Sequence, residues 1–286
     1  MRSLRIALAL ALVGACVTAA HAVQNGPAPT SVSVNAAGPF ATASVAVASS
    51  SSLGFGGGTI YYPTAAGTYG VVALCPGFTA TQTSVAWLAQ RLATHGFVTI
   101  AMNTNNALLD SPATRGTELR AALTYLTGAT APAAVKPHVD GTRRAVYGHS
   151  MGGGGVFYAL TADKTIKAGF PMAPFNTAQT SFPTITSATM VLTGTADTTA
   201  PAGTFGTPMY NSIPTTTPKA FALLTGAVHS TFSANPGDER VGRYGVLWAK
   251  QFVDADTRYT SFLCGADQAA YNTAAHFASY LSTCPY

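Results

Sequence analysis

Charge is what this chain has least of: Asp, Glu, Lys and Arg make up 9% of its 286 residues, against 48% hydrophobic. Surface polarity must then come from Ser, Thr, Asn and Gly, a composition that leans extracellular rather than cytosolic. No basic stripe with interleaved aromatics occurs, so no nucleic-acid partner is expected. After residue 22 no apolar run reaches the roughly 20 residues that a spanning helix needs, so no membrane anchor is expected. Cysteine is scarce, four in all, and scattered without the spacing of a zinc site, so no metal site is expected. Internal repeats, long linkers and disordered tracts are missing too. What remains is one domain with enough apolar residues for a sizeable core.

The N-terminus carries a secretory signature. Arg2 and Arg5 precede the apolar run Ile6 to Val13, and Ala20-His21-Ala22 is an A-x-A cleavage site, giving a signal peptide over 1–22 and a domain over 23–286. Cleavage removes two arginines, leaving 13 basic against 10 acidic residues, a net charge of +3. Cys75, Cys264 and Cys284 survive it. In an oxidising compartment Cys264 and Cys284 are expected to pair, while Cys75, at the end of the apolar run Val71 to Leu74, reads as a buried free thiol.

Along the chain, Phe40 to Ala48 and Thr59 to Tyr62 alternate as an opening antiparallel pair. Strands then read at Val71–Leu74, Phe97–Met102, Arg144–Tyr147, Ala168–Phe170, Thr189–Leu192 and, last, Lys219–Leu224. Helical spacing marks Val85 to Leu92, Leu119 to Leu126, the stretch after Ser150 and Val241 to Val253, with a closing helix near Tyr271 to Leu281. Such alternation predicts an α/β protein with a mostly parallel sheet flanked by helices, its ligand site beyond the carboxyl ends of the strands.

One stretch organises the rest. Gly148-His149-Ser150-Met151-Gly152 fits G-x-S-x-G between a strand and a helix, where the turn is so tight that flanking residues must lack side chains. Ser150 would project from the sheet edge. The Met151 N–H, at a helix start, is an unpaired donor beside developing negative charge. The alternative is a glycine-rich surface turn with an ordinary serine, which the 28 glycines make a fair competitor.

An acid and a histidine decide between the two. Serine needs an imidazole to take its proton, and the imidazole needs an acid to fix its tautomer. In this chain order Asp197 follows the strand at Met190–Thr193, and His229 follows the strand at Phe221–Leu224. Asp140, Asp163, Asp254 and Asp256 read more simply as caps, His95 and His138 precede the serine, and His276 reads as a structural residue on the closing helix. A calcium ion near Asp254 and Asp256 is the more elaborate alternative to capping. His149 is expected to wall the cleft. The loop after Cys75 should supply the second oxyanion donor, and Phe78 is favoured because Pro76 has no N–H.

With these residues placed, the chain resembles the secreted bacterial cutinase and polyester hydrolase family of α/β-hydrolases, which includes enzymes that attack poly(ethylene terephthalate). The resemblance is carried by Cys75-Pro76-Gly77-Phe78-Thr79-Ala80, Gly148 to Gly155, Ala173-Pro174-Phe175, Asp197 with Ala200-Pro201, His229-Ser230, and Phe252 to Tyr259. It implies a lid-free, single-domain α/β-hydrolase fold, a Ser150–Asp197–His229 triad, an oxyanion hole from Phe78 and Met151, and no cofactor. It also implies a substrate site at Phe78, His149, Met151, Phe175 and Ser230, with Phe175 where the family usually has tryptophan. Gly194 and Thr231 stand where plastic-degrading members carry an extra disulfide, so looser loops around His229 are expected.

The expected activity is a secreted, monomeric serine esterase acting on polyesters and short acyl esters through an acyl-enzyme. Two readings compete with it. One is a small-ester carboxylesterase or lipase without polymer activity; the other is a non-catalytic surface-binding protein that keeps the fold.

Overall fold

The computed structural model describes residues 22–234 and 237–286. The signal peptide expected at 1–22 therefore lies, apart from Ala22, outside the described residues. Among these residues nine strands form one sheet: β1 (Thr42–Val47), β2 (Gly58–Pro63), β3 (Tyr69–Cys75), β4 (Val98–Met102), β5 (Val139–His149), β6 (Ala168–Met172), β7 (Ala188–Gly194), β8 (Lys219–Leu224) and β9 (Phe277–Ser282), in the order β1-β2-β4-β3-β5-β6-β7-β8-β9. The six strands from β4 to β8 run parallel, while at one edge β1 and β2, and at the other β9, join the sheet by antiparallel pairing.

The helices are α1 (Thr83–Thr94), α2 (Pro112–Thr127), α3 (Met151–Ala162), α4 (Gly206–Ser212), α5 (Glu239–Phe252), α6 (Ser261–Cys264) and α7 (Ala266–Tyr271). The sheet separates two apolar cores. Leu88 and Leu92 of α1 with Tyr244 and Trp248 of α5 cover one face, against Val72 and Leu74. Leu119 and Leu123 of α2 with Val156, Phe157 and Leu160 of α3 cover the other, against Val71, Ala73 and Cys75. Because both faces are covered, β3, β4 and β7 are buried at every residue and read as nearly continuous apolar runs, interrupted only by Thr99, Thr189 and Thr193.

This arrangement sets where a site can form. From β3 the chain passes through α1 to β4 on one side, and β5, on the other side of β3, feeds α3 on the opposite face. The crevice between diverging connections opens where Cys75 pairs with Gly148. The loop after β3 and the turn after β5 therefore start side by side, and the loops after β7 and β8 approach from the same edge.

The chain's end differs from expectation. In place of a helix over Tyr271–Leu281, α7 stops at Tyr271, a turn follows, and β9 pairs antiparallel with β8, Phe221 opposite Leu281 and Leu224 opposite Phe277. Lys219–Leu224 is thus not the last strand, and His276 sits on the turn before β9, its ring stacked 4.0 Å from that of Tyr271. Apolar spacing here fits either period, and only the free edge of β8 selects the strand. Just beyond β9, Cys284 is disulfide-bonded to Cys264, and Cys75 is buried and free. No helix among the described residues is long and apolar enough to cross a membrane.

Candidate active site

Ser150 has φ 56° and ψ −120°, a left-handed conformation costly for a residue with a Cβ. Three backbone hydrogen bonds hold it there. Its N–H donates to Met172 O, and its carbonyl accepts from Gly154 N and Phe175 N, each at 2.9 Å. The flanking glycines are steric requirements. A Cβ on Gly148 would lie 2.3 Å from Gly152 O, and one on Gly152 would lie 2.4 Å from the carbonyl oxygens of Cys75 and Pro76.

The side chains at the three strand ends meet. Ser150 Oγ lies 2.9 Å from His229 Nε2, and His229 Nδ1 lies 2.8 Å from Asp197 Oδ2. A carboxylate only accepts, so Nδ1 is the donor, leaving the Nε2 lone pair toward the serine hydroxyl. The Asp197 side chain is fully buried, and its Oδ1 accepts from the N–H groups of Thr199 at 2.9 Å and Ala200 at 2.8 Å. The acid and base loops are also tied together, through Ala196 N to Ala227 O and Gly226 N to Thr195 Oγ1. Thr231, one of the two positions without the extra disulfide, exchanges bonds with Val228 in both directions, so hydrogen bonds brace the His229 turn. A Cβ at Gly194 would lie 2.2 Å from Ala227 O, which leaves no room there for a cysteine.

An apolar cavity of about 300 Å³ opens over this relay, lined by Phe78, Ser150, Met151, Phe175 and Thr199. Phe78 and Thr199 are exposed at its mouth, and the Phe175 ring rests on Phe205, centroids 4.8 Å apart. Among the described residues, neither the Phe78 nor the Met151 N–H has a hydrogen-bond acceptor, whereas the Thr79 N–H donates to Ala107 O. A larger hollow of about 870 Å³, lined by Thr117, Arg120, Thr124 and Asp163 among others, lies away from the triad and contains no comparable chemistry.

Two expected substrate contacts are placed elsewhere. His149 is 5% exposed and lies behind the relay: its Nε2–H donates to His229 O at 3.1 Å, and its ring is 4.7 Å from that of His229. Burial, and then the neighbouring His229, push its pKa down to about 4, so it sits neutral beneath the His229 turn and does not line the cavity. Ser230 is exposed on the turn that carries His229 and does not line the cavity. Thr199 does line it and escaped sequence reading; its signal was its place two residues after the acid, on the same loop.

The carboxylates weighed for calcium are neutralised by protein cations. Asp254 pairs with Arg143 and Lys250, and Asp256 with Arg258. No group of three or more His, Cys, Asp or Glu side chains suited to a metal occurs among the described residues. Burial pushes the Cys75 thiol up to about 12, which removes it as a nucleophile.

A doubly covered, mostly parallel sheet with a serine on a strand-to-helix turn, a histidine and a buried aspartate at neighbouring strand ends defines a carboxylic-ester hydrolase of the α/β-hydrolase class. Cutinase est1 of Thermobifida alba is 42% identical over 269 residues, covering 94% of this chain and 88% of its own. Cutinase 2 of Thermobifida cellulosilytica is 42% identical over 269 residues, covering 93% and 100%. A bis(hydroxyethyl) terephthalate hydrolase of Streptomyces coelicolor is 43% identical over 244 residues, covering 84% and 76%. Residues 17–285 match the PET hydrolase-like family, and the chain belongs to it.

Proposed function

We propose that this protein is a secreted esterase that hydrolyses polyesters, of cutin-like or terephthalate type, and short acyl esters, with Ser150 as nucleophile. Ser150 Oγ attacks the ester carbonyl carbon while His229 Nε2 takes its proton, and Asp197 stabilises the resulting imidazolium. The carbonyl oxygen becomes an oxyanion held by the N–H groups of Phe78 and Met151, the second at the start of α3 where the helix dipole adds to it. Collapse expels the alcohol, which receives the proton from His229, and Ser150 keeps the acyl group. Water then gives His229 a proton as its oxygen attacks the acyl carbon, and Ser150 leaves with that proton, freeing the acid. Every proton in the cycle passes through His229, so no cofactor is needed.

The observation that carries this reading is the unbroken relay, 2.8 Å and 2.9 Å, beneath an open apolar cavity. Openness favours a polymer: a chain segment can lie across a mouth bordered by the exposed Phe78 ring, which is 53% accessible, without threading into a tunnel. Secretion is supported by the apolar leader with its A-x-A site and by the Cys264–Cys284 bond. The test compares release of acid from aliphatic polyester film, terephthalate film and soluble p-nitrophenyl esters by wild type and Ser150→Ala. Hydrolysis of film and soluble ester, both abolished in the variant, is expected; soluble-ester turnover without film loss would leave a small-ester esterase.

A further inference from the structure

Arg115, on the first turns of α2, is completely buried yet has no carboxylate within ion-pair distance among the described residues. Backbone carbonyls surround its guanidinium instead. Nε donates to Asp110 O at 3.0 Å, Nη1 to Pro76 O at 3.2 Å and Gly77 O at 3.1 Å, and Nη2 to Ala107 O at 2.9 Å. A buried cation whose hydrogen bonds go to backbone carbonyls, with the unpaired Glu118 carboxylate nearby on the same helix, is a costly way to fill space, since an apolar side chain of similar volume would avoid its desolvation. What it holds explains why it is there.

The carbonyl of Gly77 and the N–H of Phe78 belong to one peptide unit, which is planar and trans, so the two bonds point in opposite directions. Fixing Gly77 O on the guanidinium fixes the Phe78 N–H on the far side, and Phe78 shares a cavity wall with Ser150. The following residue is tied to the same anchor: Thr79 N donates to Ala107 O at 3.0 Å, the oxygen that Arg115 Nη2 also grips. The loop has little slack, because a Cβ on Gly77 would come within 3.0 Å of Ser150 Cβ. A charge-assisted bond on the carbonyl also polarises the amide, making its N–H a stronger donor.

From this geometry we infer that Arg115 is the positioning residue of the oxyanion loop, aiming and polarising the Phe78 N–H without touching substrate. The inference rests on the reading above, in which that N–H binds the oxyanion. Removing one preorganised oxyanion donor lowers kcat by roughly 10²–10³, so misaiming one should cost about 10–100-fold.

The test uses the full chain with Arg115→Met, Arg115→Lys and Leu123→Ala, the last a buried residue of the same helix facing the core rather than the loop. Three quantities are measured: Tm, kcat and KM on p-nitrophenyl butyrate, and the Ki of phenylboronic acid, whose tetrahedral adduct needs the same oxyanion donors. Arg115→Met is expected to lose kcat about 10–100-fold with KM within about twofold, and its boronate Ki should rise in step. Arg115→Lys, a point charge in place of a planar fork, should fall between that and wild type, and carries the test if the Met variant does not fold. Leu123→Ala should lower Tm while leaving kcat and Ki unchanged. A folded Arg115 variant with wild-type kcat, a kcat loss without a matching change in Ki, or the same losses in Leu123→Ala would overturn the assignment. Turnover surviving in Ser150→Ala would instead overturn the reading beneath it.

Discussion

Asp197 makes three hydrogen bonds with two oxygens: two backbone N–H groups on Oδ1 and the imidazole on Oδ2. Its orientation is therefore set by the loop and not by the histidine, and the histidine's tautomer is set by it. Asp197→Asn preserves the shape but offers Nδ1 an amide, allowing the tautomer that turns a proton instead of a lone pair toward Ser150. The expected result is kcat lower by roughly 10³–10⁴ with KM little changed, read by steady-state kinetics at neutral pH. At this scale the sequence disclosed whatever depends on position after a strand, which is why Ser150, Asp197 and His229 were legible. It did not disclose which way a side chain faces. His149 turns inward to the His229 carbonyl, Thr199 turns toward the cavity, and two of Arg115's four carbonyl partners lie 38 and 39 residues away.

Elements differ in how much of their cause is local. α2 announces itself: Ser111 accepts from Thr114 N as the N-cap, Pro112 opens the first turn, and Leu119, Leu123 and Leu126 face the core. β9 does not, since its strand conformation comes from the free edge of β8 and from Phe277 packing edge-on to Tyr244, centroids 5.5 Å apart. α4, α6 and α7, at 7, 4 and 6 residues, are too short for a helical period to stand out. The Cys264–Cys284 bond joins α6 to the tail beyond β9 across a separation of 20 residues. A loop of that size, opened by Cys264→Ser with Cys284→Ser, should cost about 3 kcal/mol. Tm should fall by several degrees, measured calorimetrically, while kcat at 25 °C holds, because neither cysteine lines the cavity.

For the molecule as a whole, three buried groups shift how stability responds to pH between about 4 and 7. Burial lowers the pKa of His95 and of His149 to about 4, against 6.5 unperturbed. Unfolded chains therefore bind two protons that the native state refuses between those values, so acidification through that window destabilises the fold. Glu118 runs the other way. Burial, then the neighbouring Asp110, overcome its bond from Asn105 N and raise it to about 7 from 4.5, so its contribution is full below 4.5 and lost as pH rises through 7. Tm is expected to climb from pH 4 toward 6.5, where the two histidines outweigh Glu118, then dip slightly toward pH 7 and level off; Glu118→Gln should remove the dip, gaining more over wild type at pH 8 than at pH 5. Thermal melts across that range decide it, and a Glu118→Gln variant gaining no more over wild type at pH 8 than at pH 5 would contradict the Glu118 assignment.

The nine-stranded sheet serves to bring three distant side chains to one edge, and the most direct check is where a covalent probe lands. The enzyme is incubated with a fluorophosphonate, digested and mapped by mass spectrometry, with residual ester hydrolysis followed in parallel. The account predicts one adduct, on the peptide carrying Ser150, rising in proportion to lost activity, with Ser150→Ala neither labelled nor active. An adduct on another residue, or Ser150→Ala turning over ester within about tenfold of wild type, would contradict it.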